Sequence, residues 1–114
     1  MTKPMIPSMR ERNRYIAFEL ITESKLNKDD VVRNLWNSLL RFLGESGTGE
    51  TGFWILDWDN EMQRGILKVN HKSVDRVRAA LTLMKEINNK KVIFHTSGVS
   101  GTIKKAREKY MEKK

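Results

Sequence analysis

Hydrophobic positions along the chain follow two periods, and the alternation between them predicts the elements. Ile16, Phe18 and Leu20 alternate with Tyr15, Ala17 and Glu19, which predicts a strand over Arg14 to Glu23. Val31, Val32, Leu35, Trp36, Leu39, Leu40 and Leu43 then recur at helical spacing and form one apolar face. Asn27 stands where an N-cap belongs, with Asp30 at capping-box spacing, and Leu26 and Val31 are placed for a hydrophobic staple. Gly44 is a C-terminal stop, and the Gly/Ser/Thr-rich stretch Glu45 to Glu50 reads as a loop.

Thr51 to Trp58 and Arg64 to Asn70 read as two strands of a hairpin that turns at Asp59, Asn60 and Glu61. Ser73 is placed to cap a second helix whose buried stripe is Val74, Val77, Leu81, Met84 and Ile87, ending at Asn88 and Asn89. Val92 to Ser97 predicts a fourth strand, Gly98 to Gly101 a turn, and Thr102 to Glu112 a short polar helix. Residues 1–9, with Pro4 and Pro7, read as a flexible leader, and residues 10–114 as a single domain.

This order predicts an α+β, ferredoxin-like (RRM-like) βαββαβ two-layer sandwich with an added C-terminal helix. Right-handed crossovers and the sheet order 4-1-3-2 follow from that topology. The second strand is apolar on both sides, with Phe53 and Ile55 on one and Trp54, Leu56 and Trp58 on the other. A sheet covered by helices on one side needs only one apolar face. Phe53, Trp54, Leu56 and Trp58 are therefore candidates for contact with the C-terminal helix or a protein partner.

Composition narrows the chemistry. The 114 residues contain no cysteine, which removes disulfides, thiolate catalysis and sulfur-ligated zinc. No apolar run approaches the ~20 residues that span a membrane, and the first residues lack the apolar core of a secretory signal. The cytoplasm is the expected compartment, with no membrane partner. The net charge is +8, and its placement is uneven. Residues 1–14 hold four basic and one acidic side chain, residues 101–114 six and two, and the 86 residues between them twelve and eleven.

The predicted topology places the start of the first strand beside the ends of the third and fourth. Arg10, Arg12 and Arg14 then lie near Lys68, Asn70, His71 and Lys72, and near Ser100, Gly101, Thr102, Lys104, Lys105 and Arg107. The acidic hairpin residues Asp57, Asp59 and Glu61 fall at the opposite end, so a phosphate backbone would be drawn to one end and repelled from the other. Small residues in Gly98 to Thr102 would let backbone N–H groups approach a phosphate. Taken alone, that segment is better read as an ordinary capping turn with solvated lysines; the convergence of three basic segments reverses that preference.

Other chemistry is poorly supported. Asp57, Asp59 and Glu61 lack the spacing of a calcium loop, so no metal site is expected. His71 and His95 have no neighbouring nucleophile, so no catalytic residue is assigned. The Gly44 to Gly52 segment lacks the Gly-Lys-Ser/Thr ending of a P-loop. The predicted third strand, Arg64 to Asn70, carries no aromatic side chain, so base stacking on the sheet is not expected.

Arg14-Tyr15-Ile16-Ala17-Phe18-Glu19-Leu20, Arg64-Gly65-Ile66-Leu67-Lys68-Val69-Asn70-His71 and Gly98-Val99-Ser100-Gly101-Thr102-Ile103-Lys104-Lys105-Ala106-Arg107 together resemble the archaeal and eukaryotic Pop-five family, ribonuclease P protein component 2. The likeness covers roughly residues 9–110, and the Gly-Thr-Ile-Lys segment is its most specific part. It implies an RNA-binding subunit of the ribonucleoprotein that removes the 5′ leader from precursor tRNA. It also implies catalysis by the RNA subunit with its magnesium, and no cofactor in this chain. The implied partners are the ribonuclease P RNA, the TIM-barrel subunit called component 3, and precursor tRNA indirectly. A homodimer within a heterotetramer is one possible assembly. Two other readings stay open: a ferredoxin-like anion-sensing domain, and a protein-interaction module without an RNA role.

Overall fold

A computed structural model of the chain describes residues 12–111. The elements are β1 (Asn13–Thr22), α1 (Lys28–Thr51), β2 (Trp54–Asp59), β3 (Arg64–Asn70), α2 (Val74–Thr82), β4 (Glu86–Ile87), β5 (Lys90–Ser100) and α3 (Ile103–Ala106). A wider helical turn, Arg107–Met111, follows α3. The sheet order is β2-β3-β1-β5-β4, with every pairing antiparallel. With β5 in the place of the expected fourth strand, this is the ferredoxin-like order, extended at one edge by the two-residue β4.

Alternation in β1 builds the main core. Ile16, Phe18 and Leu20 point toward the helices and are almost fully buried. They meet Val31, Leu35 and Leu39 of α1 and Val77, Ala80 and Leu81 of α2. Phe18 stacks on Phe94 with ring centroids 5.2 Å apart and on Trp58 at 6.0 Å, while Trp36 meets Phe53 edge-on at 4.8 Å. Each such side chain contributes about 1.5–3 kcal/mol through burial, so this face supplies most of the fold's apolar stabilisation. Ala17 and Ile66 are buried on the opposite face, where Ala106 of α3 covers them.

The Asn27 side chain caps α1 as expected, accepting from the Asp30 N–H at 2.9 Å. Asp30 does not complete a capping box; its carboxylate takes Arg33 at 2.6 Å. Gly44 breaks the first helical run with φ 75 and ψ 175, a conformation glycine adopts without strain. The expected loop after it is helical instead, through Thr51. Local side-chain bonds and one tertiary bond offset the weak helix propensity there. Thr51 Oγ1 donates to the Thr48 carbonyl and accepts from the Phe53 N–H, and the Asn70 amide donates to the Glu50 carbonyl.

Three other boundaries differ. α2 ends at Thr82 rather than running through Ile87, which belongs to β4. Asn88 and Asn89 have φ 53 and 64, the paired left-handed conformation of a two-residue hairpin turn. Ser73 is buried and makes no capping bond to the backbone, because the chain enters α2 through a 3₁₀ turn, His71–Ser73. Finally, β2 bulges. The register jumps from Ile55 opposite Leu67 to Asp57 opposite Ile66, leaving Leu56 as the extra residue. The strict alternation expected of this strand is thereby reversed at Trp58, which joins Phe53 and Ile55 on the helix side.

Candidate nucleic-acid interface

Sheet register brings the three basic segments to one end. Asn13 lies opposite Asn70, and Tyr15 lies between Lys68 and Ser100. The His71 N–H donates to the Arg12 carbonyl at 2.7 Å, and His71 Nδ1 lies 3.1 Å from the same oxygen. α3 starts directly beyond β5, so Lys104 and Lys105 join this end. Arg12, His71, Lys72, Lys104 and Lys105 are exposed, while Arg14, Lys68 and Ser100 are half-buried. Arg14 follows the strand face of Ile16, whereas Lys68 shares the opposite face with Tyr15. The cations therefore ring the end of the sheet rather than line one side of it. Arg10 lies outside the described residues.

Several expected contact residues have other work. Asn70 is 7 % exposed and ties the end of β3 to the end of α1, with its Oδ1 buried and unpartnered. Gly98 is not in a free turn but in β5 beneath Tyr110, where an added methyl group would collide with the phenol ring and hydroxyl. Thr102 spends its hydroxyl on the Lys105 N–H at 3.2 Å, capping α3. Arg107 turns toward β2, its Nε and Nη2 donating to the two Asp57 carboxylate oxygens at 2.7 and 3.0 Å. Those hydrogen bonds, and then the charge of Asp57, raise the Arg107 pKa above its ordinary value.

Known proteins match this chain over nearly its whole length. Residues 14–111 match the Rpp14/Pop5 family. The chain belongs to that family. Ribonuclease P protein component 2 of Thermococcus gammatolerans is 44 % identical over 109 residues, covering 96 % of this chain and 91 % of the relative. The protein of the same name from Pyrococcus horikoshii is 40 % identical, with 97 % and 92 % covered. That from Methanosarcina mazei is 36 % identical, with 96 % and 93 % covered. A chain in a solved structure described as the cryo-EM structure of yeast ribonuclease MRP has a TM-score of 0.69 over 82 % of this chain and 77 % of that one. At 14 % identity that likeness speaks for the shared fold.

In this Rpp14/Pop5 member the acidic hairpin is wired into the structure. Asp59 Oδ1 accepts the Glu61 and Met62 N–H groups, Glu61 pairs with Lys25 at 2.8 Å, and Asp57 holds Arg107. Among the described residues no group of three or more His, Asp or Glu side chains could hold a metal ion. Nor is any helix among them long and apolar enough to cross a membrane.

Of the expected protein-contact residues, Phe53 is 3 % exposed and Trp58 packs on the core; only Trp54 stands well clear, with Leu56 between. The most important residue missed in the sequence is Gln63. Its buried amide accepts from Leu26 N–H and donates to the Leu26 and Asn60 carbonyls, clamping the hairpin to the entry of α1. A polar residue at φ 53 beside a turn gives no local sign of that role.

Proposed function

We propose that this chain is a protein subunit of ribonuclease P that binds the particle's RNA through the cationic end of its sheet. Membership of the Rpp14/Pop5 family and the names of its relatives support the assignment. The observation that carries the mode of binding is the meeting of Arg12, Arg14, Lys68, His71, Lys72, Lys104 and Lys105 at the junction of β1, β3 and β5. Cations drawn from remote parts of the chain neutralise phosphates where RNA strands pack closely, and each contact releases counterions. Asp59 and Glu61 lie toward the far end, and Asp57, closer in, is paired with Arg107, so the hairpin's acids do not oppose that attraction.

In this reading the chain shapes and stabilises the RNA, and hydrolysis of precursor tRNA belongs to the RNA and its magnesium. The protein needs no cofactor and acts in the cytoplasm. Protein partners, the TIM-barrel component 3 and a second copy of the chain, take apolar surface away from the cationic end. Ile21 and Ile93 on the sheet, and Leu40, Phe42 and Leu83 on the helix side, are exposed there.

The test is the double variant Lys104→Glu/Lys105→Glu, reconstituted with ribonuclease P RNA. It should cut precursor tRNA more slowly, most severely at limiting magnesium. The slope of log affinity for the RNA against log salt should flatten by about two, one for each lysine. Unchanged RNA affinity and unchanged cleavage would remove the cationic end from the RNA contact and favour the protein-interaction module.

A further inference from the structure

Phosphate contacts leave Trp54 unexplained. Trp36 and Trp58 pack against the inner core, but Trp54 is 59 % exposed. It lies opposite Lys68, Lys68 opposite Tyr15, and Tyr15 opposite Ser100, so these four residues form one row across β2, β3, β1 and β5 on the outer face of the sheet. Tyr15 packs against the Ala17, Ile66 and Ala106 cluster, which leaves the Trp54 end of the row as the open end. Directly opposed residues have Cβ atoms about 4.5–5.5 Å apart, so the flexible Lys68 ammonium can reach a group lying on the indole. The acid in the next row of this face, Asp57, is neutralised by two hydrogen bonds from Arg107.

An exposed aromatic face with a cation beside it, next to a ring of further cations, has the makings of a single-strand nucleic-acid platform. The base lies on the aromatic ring and the cation takes the adjoining phosphate. The sequence discounts stacking because β3 carries no aromatic residue. The structure supplies one from the neighbouring strand instead, at the sheet edge where a base can approach. A protein contact fits less well, since interface cores are depleted in lysine and this row alternates aromatic and cation.

We propose that Trp54 stacks on an unpaired base of the bound RNA while Lys68 contacts the adjacent phosphate. The proposal rests on the reading of the chain as an RNA-binding subunit and adds to it a site for an unpaired nucleotide.

The full chain is titrated with a labelled single-stranded oligoadenylate and with an abasic ribose-phosphate oligonucleotide of the same length. The wild type should prefer the oligoadenylate by on the order of tenfold. Trp54→Ala should lower oligoadenylate affinity to the abasic level and leave abasic binding unchanged, and Trp54→Phe should keep most of the preference. Lys68→Ala should weaken both and flatten the salt slope by about one. Exposure of Trp54 keeps its variants clear of the core. The proposal is overturned if Trp54→Ala binds oligoadenylate as the wild type does, or if the wild type does not prefer it over the abasic probe. Loss of self-association or of protein binding by Trp54→Ala, with oligoadenylate affinity intact, would assign the indole to a protein contact. With Lys104→Glu/Lys105→Glu run alongside, the two failures separate. Weaker binding of both probes in that variant, with no effect of Trp54→Ala, sinks the stacking site and leaves the subunit reading standing.

Discussion

The two faces of the sheet are buried by different means. On the inner face, large side chains from β1, β2, β3, β5 and both long helices interlock around Phe18. On the outer face, the buried residues are Ala17, Ile66 and Ala106, with Tyr15, Tyr110 and Met111 half-buried around them. Small residues in the strands let the C-terminal segment lie close to the backbone, and the Arg107–Asp57 pair fastens it to β2. The inner face holds the fold together. The outer face positions the last basic segment beside the start of β1, which is what brings Lys104 and Lys105 to the cationic end.

If that division is right, the strongest way to break it is through the inner face. Phe18→Ala empties the space between Phe94 and Trp58 and should destabilise the protein by about 3–5 kcal/mol, read from the midpoint of denaturant unfolding. A loss no larger than that of an outer-face change would erase the distinction. Gly98→Val puts a side chain into the Tyr110 ring. Overpacking of this kind costs about 1–3 kcal/mol, and here it should also unseat the C-terminal segment. RNA affinity would then fall more than stability does, measured by filter binding and by unfolding of the same preparation. Equal effects on both would mean that the segment has no separate part in binding.

Asp57→Ala is expected to have the smallest effect on stability, about 1 kcal/mol or less, because the ion pair stays partly open to water on the Arg107 side. Its use is to sharpen the comparison. Release of Arg107 should add a cation to the RNA surface and steepen the salt slope by about one. An unchanged slope would show that packing of Ala106 and Tyr110, rather than the ion pair, keeps Arg107 over the sheet.

Local pattern was enough for much of this. The alternation of Ile16, Phe18 and Leu20, the helical stripe through Val31, Leu35 and Leu39, and the Asn27 cap each depend on residues within a turn or two of one another. Backbone geometry translates such spacings directly into faces. Together they determined the element order, and with the handedness of crossovers the neighbours of each strand. That order places the ends of β3 and β5 beside the start of β1, and outer-face packing then seats the last basic segment there.

What needed the tertiary structure depended on contacts between residues far apart in the chain. Glu45 to Thr51 has a loop's composition but is held as a helix with help from Asn70, and a bulge at Leu56 carries Trp58 to the core side while Trp54 stays on the outer face. Arg107 meets Asp57 and Gln63 meets Leu26 across 50 and 37 residues. Propensity and periodicity report on the chain's own neighbourhood, whereas bulges, buried amides and ion pairs are settled by which surfaces the fold presses together. That is why the sequence determined the sheet and its charged end, and only the packed structure decided which side chains at that end stand open to a ligand.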